Sequence, residues 1–243
     1  MGLLGGIALF KKRMRQSMIL LHGLFGGLSN WTGVVKHFED RFDIYIPKLP
    51  IYENPKNNLE HLLNFLETMI ASAGLKNIIL VGNSLGGHIA ILYTHRHPDN
   101  VAKLVLTGSS GLYENTQVGS YLKRGNYAYI KERVAATFYH PAIATDELVS
   151  EVLQITTDPL KCLCAVRTAR SAQRDNVLTR LPEISVPVLL IWGEDDQITP
   201  PHVANEFNTH LLNSKLVMIP ECGHAPMMEK PETFNEILGK FLC

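Results

Sequence analysis

The sequence predicts an α/β fold with a doubly wound, mostly parallel sheet. Five short apolar runs, each closed by Gly or Pro, have the continuous hydrophobicity of strands that are buried on both faces. They are MILLHG (18–23), IILVG (78–82), KLVLTG (103–108), VPVLLIWG (186–193) and KLVMIP (215–220). Stretches with helical periodicity lie between them, and strands that alternate with helices are typical of such a sheet.

Four segments between or after these runs are predicted to be helices. The segment from 57 carries apolar residues at 59, 62, 63, 66, 69 and 70, which fall on one helical stripe. A second helix begins near 85 and is ended by Pro98. Two more begin with a proline, at Pro201 and Pro231, where the fixed φ of proline suits a first helical turn.

Residues 111–182 interrupt the alternation of strands and helices. They contain helix-like segments such as GSYLKRGNYAYIKERVAATFY (119–139) and TDELVSEVLQI (145–155), but no apolar run of the strand type. We therefore expect a core made of residues 1–110 and 183–243, with 111–182 inserted between two strands as a helical lid, or cap.

Length and charge set the class of protein. A chain of 243 residues that is 46% hydrophobic can bury the core of one domain with an insertion. The 23 basic residues balance the 23 acidic ones, so no net field attracts nucleic acid or an anionic membrane. The expected partner is a small-molecule substrate, and the oligomeric state stays open.

The cysteines and the first residues indicate a reducing environment. Cys162, Cys164, Cys222 and Cys243 are too few and too uneven in spacing for a disulfide framework or a zinc site, so reduced thiols are expected. The apolar run at the start precedes its basic residues, which reverses the order of a secretory signal, and it is too short to span a bilayer. A cytoplasmic location is the expectation, with the basic run solvated.

The segment LVGNSLGGHIA (80–90) places Ser84 between Gly82 and Gly86 where a strand passes into a helix. The spacing excludes a P-loop, which needs Lys-Ser or Lys-Thr after its last glycine, and a dinucleotide fingerprint, which needs Gly-x-Gly. Ser84 is either a nucleophile on a sharp turn or part of a glycine-rich bend only. A serine nucleophile requires a base and an orienting carboxylate.

Candidate partners for Ser84 follow two later strands. Asp195 and Asp196 come after the run that ends at 193, and His224 comes after the run that ends at 220. Since ligands bind outside the carboxyl ends of the strands in an open α/β sheet, all of them are expected at one edge. Among the other histidines, His22 is predicted to be structural, and surface or capping roles are predicted for His88, His95 and His97.

These motifs resemble those of serine hydrolases of the α/β-hydrolase superfamily, in the lid-bearing branch that includes carboxylesterases and meta-cleavage product hydrolases. The matching pieces are LLHGLFGGLSNW, GNSLGG, WGEDDQITP and GHAPMMEKPE. The resemblance implies a triad of Ser84, Asp196 and His224, because the acid is the third residue after the glycine in Gly-x-x-Asp-x-x-x-Pro; Asp195 is the alternative. It implies an oxyanion hole from the backbone N–H groups of Leu24 and Leu85, with Phe25 as the alternate donor.

Three features depart from that family pattern. Only 17 residues precede Met18, which implies an N-terminally shortened sheet of six or seven strands, with GIALF (6–10) as a candidate strand. An aromatic residue commonly follows the catalytic histidine in carbon–carbon hydrolases, whereas Ala225 stands here and favours ester chemistry. Arg167, Arg170 and Arg174 have i, i+3, i+7 spacing and either bind a substrate carboxylate or form a solvated helix face.

The predicted function is hydrolysis of a small to medium, largely hydrophobic ester through an acyl-enzyme, with no metal and no organic cofactor. Phe25, Arg167 and Met227 are the candidate substrate contacts. Alternatives on the same triad are a carbon–carbon bond hydrolase, a thioesterase and a lyase. A ligand receptor with the same fold and no turnover is an alternative of another class.

Overall fold

A computed structural model describes residues 15–54, 58–115 and 125–243. Six strands of the described residues form one sheet in the order β2-β1-β3-β4-β5-β6, and every neighbouring pair is parallel. The strands are β1 (Gln16–Leu21), β2 (Phe42–Tyr45), β3 (Ile78–Asn83), β4 (Val101–Thr107), β5 (Val188–Gly193) and β6 (Ser214–Ile219). The predicted α/β fold is confirmed; the candidate strand GIALF lies outside the described residues.

The central strands are buried on both faces, as their continuous apolar sequences predict. In β1, Ile19 and Leu21 join one hydrophobic cluster while Met18 and Leu20 join the other, and β3, β4 and β5 alternate in the same way. The first cluster includes side chains of the helices α2 (Leu59–Ser72), α3 (Leu85–Arg96) and α7 (Pro201–His210). The second includes side chains of α1 (Thr32–Phe38), α8 (Pro226–Glu229) and α9 (Pro231–Leu242). The sheet is therefore covered by helices on both sides.

All five apolar runs form strands, but β2 was not among them. It has only four residues, lies at the edge of the sheet and exposes Asp43. A short strand with little buried surface carries no continuous apolar run, so the pattern that identifies the central strands does not apply to it.

The helices include the four predicted segments. Their bounds are α1 (Thr32–Phe38), α2 (Leu59–Ser72), α3 (Leu85–Arg96), α4 (Tyr127–Ala135), α5 (Asp146–Thr157), α6 (Pro159–Arg174), α7 (Pro201–His210), α8 (Pro226–Glu229) and α9 (Pro231–Leu242). The side chain of Asn58 accepts a hydrogen bond from the His61 N–H and so caps α2. The apolar stripe of α2 is buried against the sheet, while α3 is buried through most of its length.

Helices α4, α5 and α6 lie between β4 and β5 in the chain. Val149 and Val152 of α5 belong to the same hydrophobic cluster as β1, so this helix packs onto the rest of the domain. The Oγ of Ser171 in α6 accepts a hydrogen bond of 3.2 Å from the Leu59 N–H at the start of α2. The exact bounds of a lid at 111–182 and its covering role stay a prediction.

Two further properties of the described residues concern the cysteine thiols and the hydrophobicity of the helices. Cys162, Cys164 and Cys222 are buried free thiols, and Cys243 is an exposed one. No helix within the described ranges is both long enough and apolar enough to cross a membrane.

Candidate active site

Ser84 occupies a strained turn between β3 and α3. Its backbone has φ 53° and ψ −120°, a region that non-glycine residues rarely adopt and that is found at functional sites. The turn is tight on both sides: a Cβ added to Gly82 would stand 2.5 Å from the Gly86 carbonyl oxygen, and one added to Gly86 would strike the Leu21 carbonyl oxygen. Both glycines are therefore required by the close approach of backbone, as the sequence predicted.

Asp196 and His224 form a hydrogen-bonded pair at the same sheet edge. His224 Nδ1 lies 2.8 Å from Asp196 Oδ2, and the two side chains are buried. The carboxylate also accepts bonds from the Ile198 N–H at 2.8 Å, from the Thr199 N–H at 2.9 Å and from the Thr199 hydroxyl at 2.8 Å. A carboxylate fixed in this way assigns the imidazole proton to Nδ1 and leaves Nε2 as the basic nitrogen.

Asp195, the alternative acid, makes no hydrogen bond to His224 among the described residues. Its side chain is exposed, and its backbone N–H donates to the Cys222 carbonyl at 2.9 Å. The carboxylate that contacts the imidazole is that of Asp196, the third residue after Gly193.

The pKa of His224 reflects two opposing effects. Burial favours the neutral ring and by itself lowers the pKa, but the charge and hydrogen bond of Asp196 outweigh burial and raise the pKa above its ordinary value of 6.5. Glu114 and Glu229 add negative potential in the same direction. The ring is thus a stronger base than a free histidine.

Asn83 joins three loops around Ser84, and sequence reasoning missed it. Its Nδ2 donates to the His224 carbonyl at 3.0 Å and to the Thr107 carbonyl at 2.9 Å. Its Oδ1 accepts a 2.6 Å bond from the Ser29 hydroxyl. The signal for a role was present in the sequence, since Asn83 directly precedes the serine, but its partners are distant in the chain.

Two further residues contact His224, one at its backbone and one at its ring. Its N–H donates to the Thr137 carbonyl at 2.9 Å. Gly108 lies against the ring with φ 51°, and a Cβ there would stand 2.8 Å from His224 Nδ1. Ser84 lies at the same edge, and its hydroxyl is not hydrogen-bonded to the His224 ring within the described residues; such bonds are often long in ligand-free enzymes and tighten with substrate.

The loop after β1 lies against Ser84 and is fixed by side chains. A Cβ on Gly23 would stand 3.2 Å from Ser84 Cβ. The Gly23 N–H donates to Ser29 Oγ at 2.8 Å, and the Tyr52 hydroxyl donates to the Leu24 carbonyl. These contacts hold the backbone of Leu24, a predicted oxyanion donor, next to the serine.

His22 supports this loop and is not placed to act as a second base. Its Nε2 accepts the Leu49 N–H at 3.0 Å, so its Nδ1 carries the proton and donates to the Gly23 carbonyl at 2.8 Å. Burial lowers its pKa, which keeps the ring neutral. The structural role predicted for His22 agrees with these bonds.

The other predicted donors, Leu85 and Phe25, lie where helices begin. Leu85 is the first residue of α3, where a backbone N–H has no partner within its own helix. Phe25 is half-buried and precedes a short 3-10 helix, Gly26–Ser29. Their roles stay predictions.

The surface role predicted for His88 is wrong. Its side chain is fully buried in α3, with Nε2 3.9 Å from Asp175 Oδ1, because α3 is enclosed on nearly all sides and its polar face has no access to water. His95 and His97 are partly exposed at the end of α3, paired with Glu183 at 2.9 Å and Glu67 at 2.7 Å, as surface roles require.

The structure places two predicted substrate contacts differently. Arg167 is exposed on α6 and lines a groove whose described lining contains none of Ser84, Asp196 and His224. Met227 is buried in the hydrophobic cluster that also contains Trp31. No group of three or more His, Cys, Asp or Glu side chains in the described ranges could hold a metal ion.

A family model described as "Alpha/beta hydrolase family" matches residues 18–237. The chain belongs to the α/β-hydrolase family. This α/β-hydrolase is an enzyme of the hydrolase class, and its relatives are named as hydrolases and esterases.

Among curated relatives, a 2-hydroxy-6-oxononadienedioate/2-hydroxy-6-oxononatrienedioate hydrolase of Paraburkholderia phymatum is 27% identical, covering 94% of this chain and 87% of its own. A pimeloyl-[acyl-carrier protein] methyl ester esterase of Nitrosomonas europaea is 26% identical, with 89% and 92% covered. A solved structure of MGS-MChE2, an α/β-hydrolase enzyme from a metagenome of Mar Chica lagoon sediments, is 36% identical with a TM-score of 0.76, covering 93% and 90%.

Proposed function

We propose that this α/β-hydrolase cleaves a small to medium, largely hydrophobic carboxylic ester, with Ser84 as nucleophile, His224 as general base and Asp196 as the orienting acid. The observation that carries the proposal is the 2.8 Å bond between His224 Nδ1 and Asp196 Oδ2 beside a serine with φ 53°. A fixed tautomer and a strained, only partly buried serine are what acyl transfer to a hydroxyl requires.

The reaction proceeds in two steps. Ser84 Oγ attacks the ester carbonyl while His224 Nε2 takes its proton, and the same nitrogen then gives that proton to the leaving alcohol. The resulting acyl-enzyme is attacked by water, which loses a proton to Nε2, and the acid departs as Ser84 regains its proton. Asp196 stabilises the imidazolium that forms in each step.

The negative charge on the carbonyl oxygen in each step needs hydrogen-bond donors. We assign them to the backbone N–H groups of Leu24 and Leu85, with Phe25 as the alternate to Leu24. Each such donor contributes about 3–4 kcal/mol to transition-state stabilisation in enzymes of this type. The bonds that hold the Leu24 loop support this assignment, since an oxyanion hole works only if its donors are fixed beforehand.

The lid is part of the proposal. Helices α4–α6 are inserted after β4, whose end also carries Gly108 beside His224. We assign the segment 111–182 to covering the site, where it excludes water and selects the acyl group. The small-molecule partner and the absence of a required cofactor belong to the same proposal.

Turnover of p-nitrophenyl esters tests the mechanism. Ser84→Ala should lower kcat by more than about 10³-fold, and Asp196→Asn by about 10²- to 10⁴-fold, because each breaks the unit formed by nucleophile, base and acid. Asp195→Asn is the matched control, since it removes a neighbouring exposed carboxylate and should retain wild-type kcat. Wild-type activity in Ser84→Ala would overturn the mechanism.

Labelling with a fluorophosphonate probe separates an enzyme from a receptor with the same fold. The probe should attach to Ser84 in the wild type and in Asp195→Asn, and fail to attach in Ser84→Ala. A folded wild type that turns over no ester, thioester or carbon–carbon substrate and takes no label would favour a binding protein.

Carbon–carbon bond hydrolysis is the second candidate, favoured by the resemblance to meta-cleavage product hydrolases and by the Paraburkholderia relative, which is named a 2-hydroxy-6-oxononadienedioate/2-hydroxy-6-oxononatrienedioate hydrolase. Ala225, which follows His224 where those hydrolases commonly carry an aromatic residue, argues against it. A vinylogous 2-hydroxy-6-oxo-dienoate tested beside esters and thioesters, with Ser84→Ala as the blank, ranks the two by kcat/KM.

A further inference from the structure

Four arginines converge on a groove beside the C-terminal half of α6. The groove has a volume of about 600 Å³ and is lined by Arg167, Arg170, Ser171, Arg174, Asp175, Asn176 and Arg180. We call it the arginine groove. Its lining contains four guanidinium groups and a single carboxylate, so three positive charges are in excess in a chain whose formal net charge is zero.

The one carboxylate in the arginine groove is already engaged. Asp175 forms an ion pair with Arg180 and lies 3.9 Å from the buried His88 Nε2. It therefore neutralises Arg180 at one end of the groove and forms no ion pair with Arg170 or Arg174.

Ion pairing elsewhere on the surface makes this concentration of charge unusual. Arg96 pairs with Glu60 and Glu67, and Lys131 pairs with Asp146. Within the described residues neither Arg170 nor Arg174 forms an ion pair. The remaining stretches, 1–14, 55–57 and 116–124, contain no Asp or Glu in their sequence, so they hold no side-chain carboxylate that could neutralise the groove.

Helix stability explains only part of this arrangement. Arg174 is in the last turn of α6, where a cation is favoured by the helix dipole. Arg170 and Arg167 lie one and two turns earlier, respectively, and repel Arg174 along the same face, since i, i+3 and i+7 are neighbours on a helix. Like charges gathered in a concavity focus their field and raise the local concentration of an anion.

We propose that the arginine groove is a binding site, separate from Ser84, for a small anion that carries two or more linked phosphoryl groups. Guanidinium forks match phosphoryl oxygens in a bidentate manner. The three arginines of α6 extend over about 10 Å of helix axis, which suits a diphosphate better than a single carboxylate. The volume is that of a small-ligand site, and the described lining has no aromatic ring on which a nucleobase could stack.

Calorimetric titration of the whole chain with pyrophosphate and with ADP tests the site. One pyrophosphate should bind per chain, and ADP should bind within about threefold of it, because the phosphoryl groups supply the contacts. Arg170→Gln combined with Arg174→Gln should weaken binding by about tenfold or more through the loss of two charge-assisted contacts. Lys36→Gln combined with Lys215→Gln is the control: it removes the same charge from exposed positions outside the groove and should bind as the wild type.

Three results would overturn the site: no saturable pyrophosphate binding at millimolar concentration, equal binding by wild type and the arginine variant, or an equal loss in the lysine control. Malonate is the comparison anion. If malonate bound as tightly as pyrophosphate, the assignment of the site to phosphoryl groups would be overturned. Fluorophosphonate should label Ser84 at the same rate with saturating pyrophosphate as without it. Because the readout is binding, failure of this site leaves the proposed esterase mechanism untouched, and the reverse also holds.

Discussion

Asn83 shows how a single side chain can hold several loops at the candidate site. Its amide donates to the carbonyls of His224 and Thr107 and accepts from Ser29, whose Oγ in turn accepts the Gly23 N–H. The loops that carry the base and the predicted oxyanion donor are thereby tied to the residue directly before Ser84. An amide suits this position, since it supplies two donors and an acceptor from one buried group.

Asn83→Ala is expected to lower kcat by about 10- to 100-fold with a smaller change in KM, because misplacing the base and the oxyanion donors weakens the transition state more than substrate binding. Unfolding free energy should fall by about 1–3 kcal/mol, since buried groups lose their partners. Both constants and the thermal midpoint should be measured beside Asn205→Ala, which removes an exposed amide on α7. A stable Asn83→Ala enzyme with wild-type kcat would rule out the positioning role.

The raised pKa of His224 predicts the acid limb of the pH profile. The base must be neutral, so kcat/KM should rise with pH through a midpoint above 6.5, where a free histidine is already half deprotonated. Asp196→Asn removes the main cause of the shift and should move the midpoint to lower pH while lowering the rate. Asp195→Asn should leave the midpoint in place; a midpoint unchanged in Asp196→Asn would contradict the coupling.

Glu229 joins the segment after α4 to the loop that carries His224. Its carboxylate accepts the Tyr139 N–H at 2.7 Å and the Gly223 N–H at 2.8 Å. Thr137, two residues before Tyr139, accepts the His224 N–H. Burial raises the pKa of Glu229, and the backbone donors oppose that rise by stabilising the charged form.

Glu229→Gln should destabilise this junction by about 1–3 kcal/mol, because an amide has one acceptor oxygen and its NH₂ group would face the second N–H donor. The loss should appear in the thermal midpoint and as a lower kcat. Glu232→Gln, an exposed change in the first turn of α9, is the matched control and should alter neither. Equal midpoints in the two variants would count against the junction.

The strands and helices that could be predicted from sequence are those whose own residues show an apolar run or a proline at a helix start. Both faces of β3 are buried, so its apolar run was sufficient, and Pro201 and Pro231 marked the starts of α7 and α9. β2 could not be found, because an edge strand of four residues needs little apolar surface. The Glu229 junction joins residues some 90 positions apart, and no local pattern encodes it.

For the whole molecule, the parallel sheet explains why the candidate site was predictable. Parallel strands place their carboxyl ends at one edge, so Ser84 and His224, separated by most of the chain, could be assigned to one place from strand order alone. The direction in which α6 faces could not be assigned in this way. Its arginines fit either an inward or a solvated face by spacing, and only the packing of α6 on α2 places them outside.

The inserted helix α5 also contacts the loop after β1, and this contact should affect acyl selectivity. Glu151 of α5 accepts the Gly27 N–H at 3.0 Å, close to the loop of Leu24. Glu151→Gln replaces a charged acceptor at an exposed position, so the contact should weaken by about 0.5–1 kcal/mol. If the segment 111–182 covers the site, easier opening should admit longer acyl chains.

We therefore expect the ratio of kcat/KM for an octanoate ester to that for an acetate ester to rise by about two- to fivefold in Glu151→Gln, the equivalent of that weakening. The thermal midpoint should change little, because the contact is exposed. Glu147→Gln, on the same helix and away from Gly27, is the control and should keep the wild-type ratio. A general displacement of the Leu24 loop would lower kcat/KM for both esters alike, so the ratio of the two values cancels it. A ratio equal to that of the wild type would show that this contact does not control access.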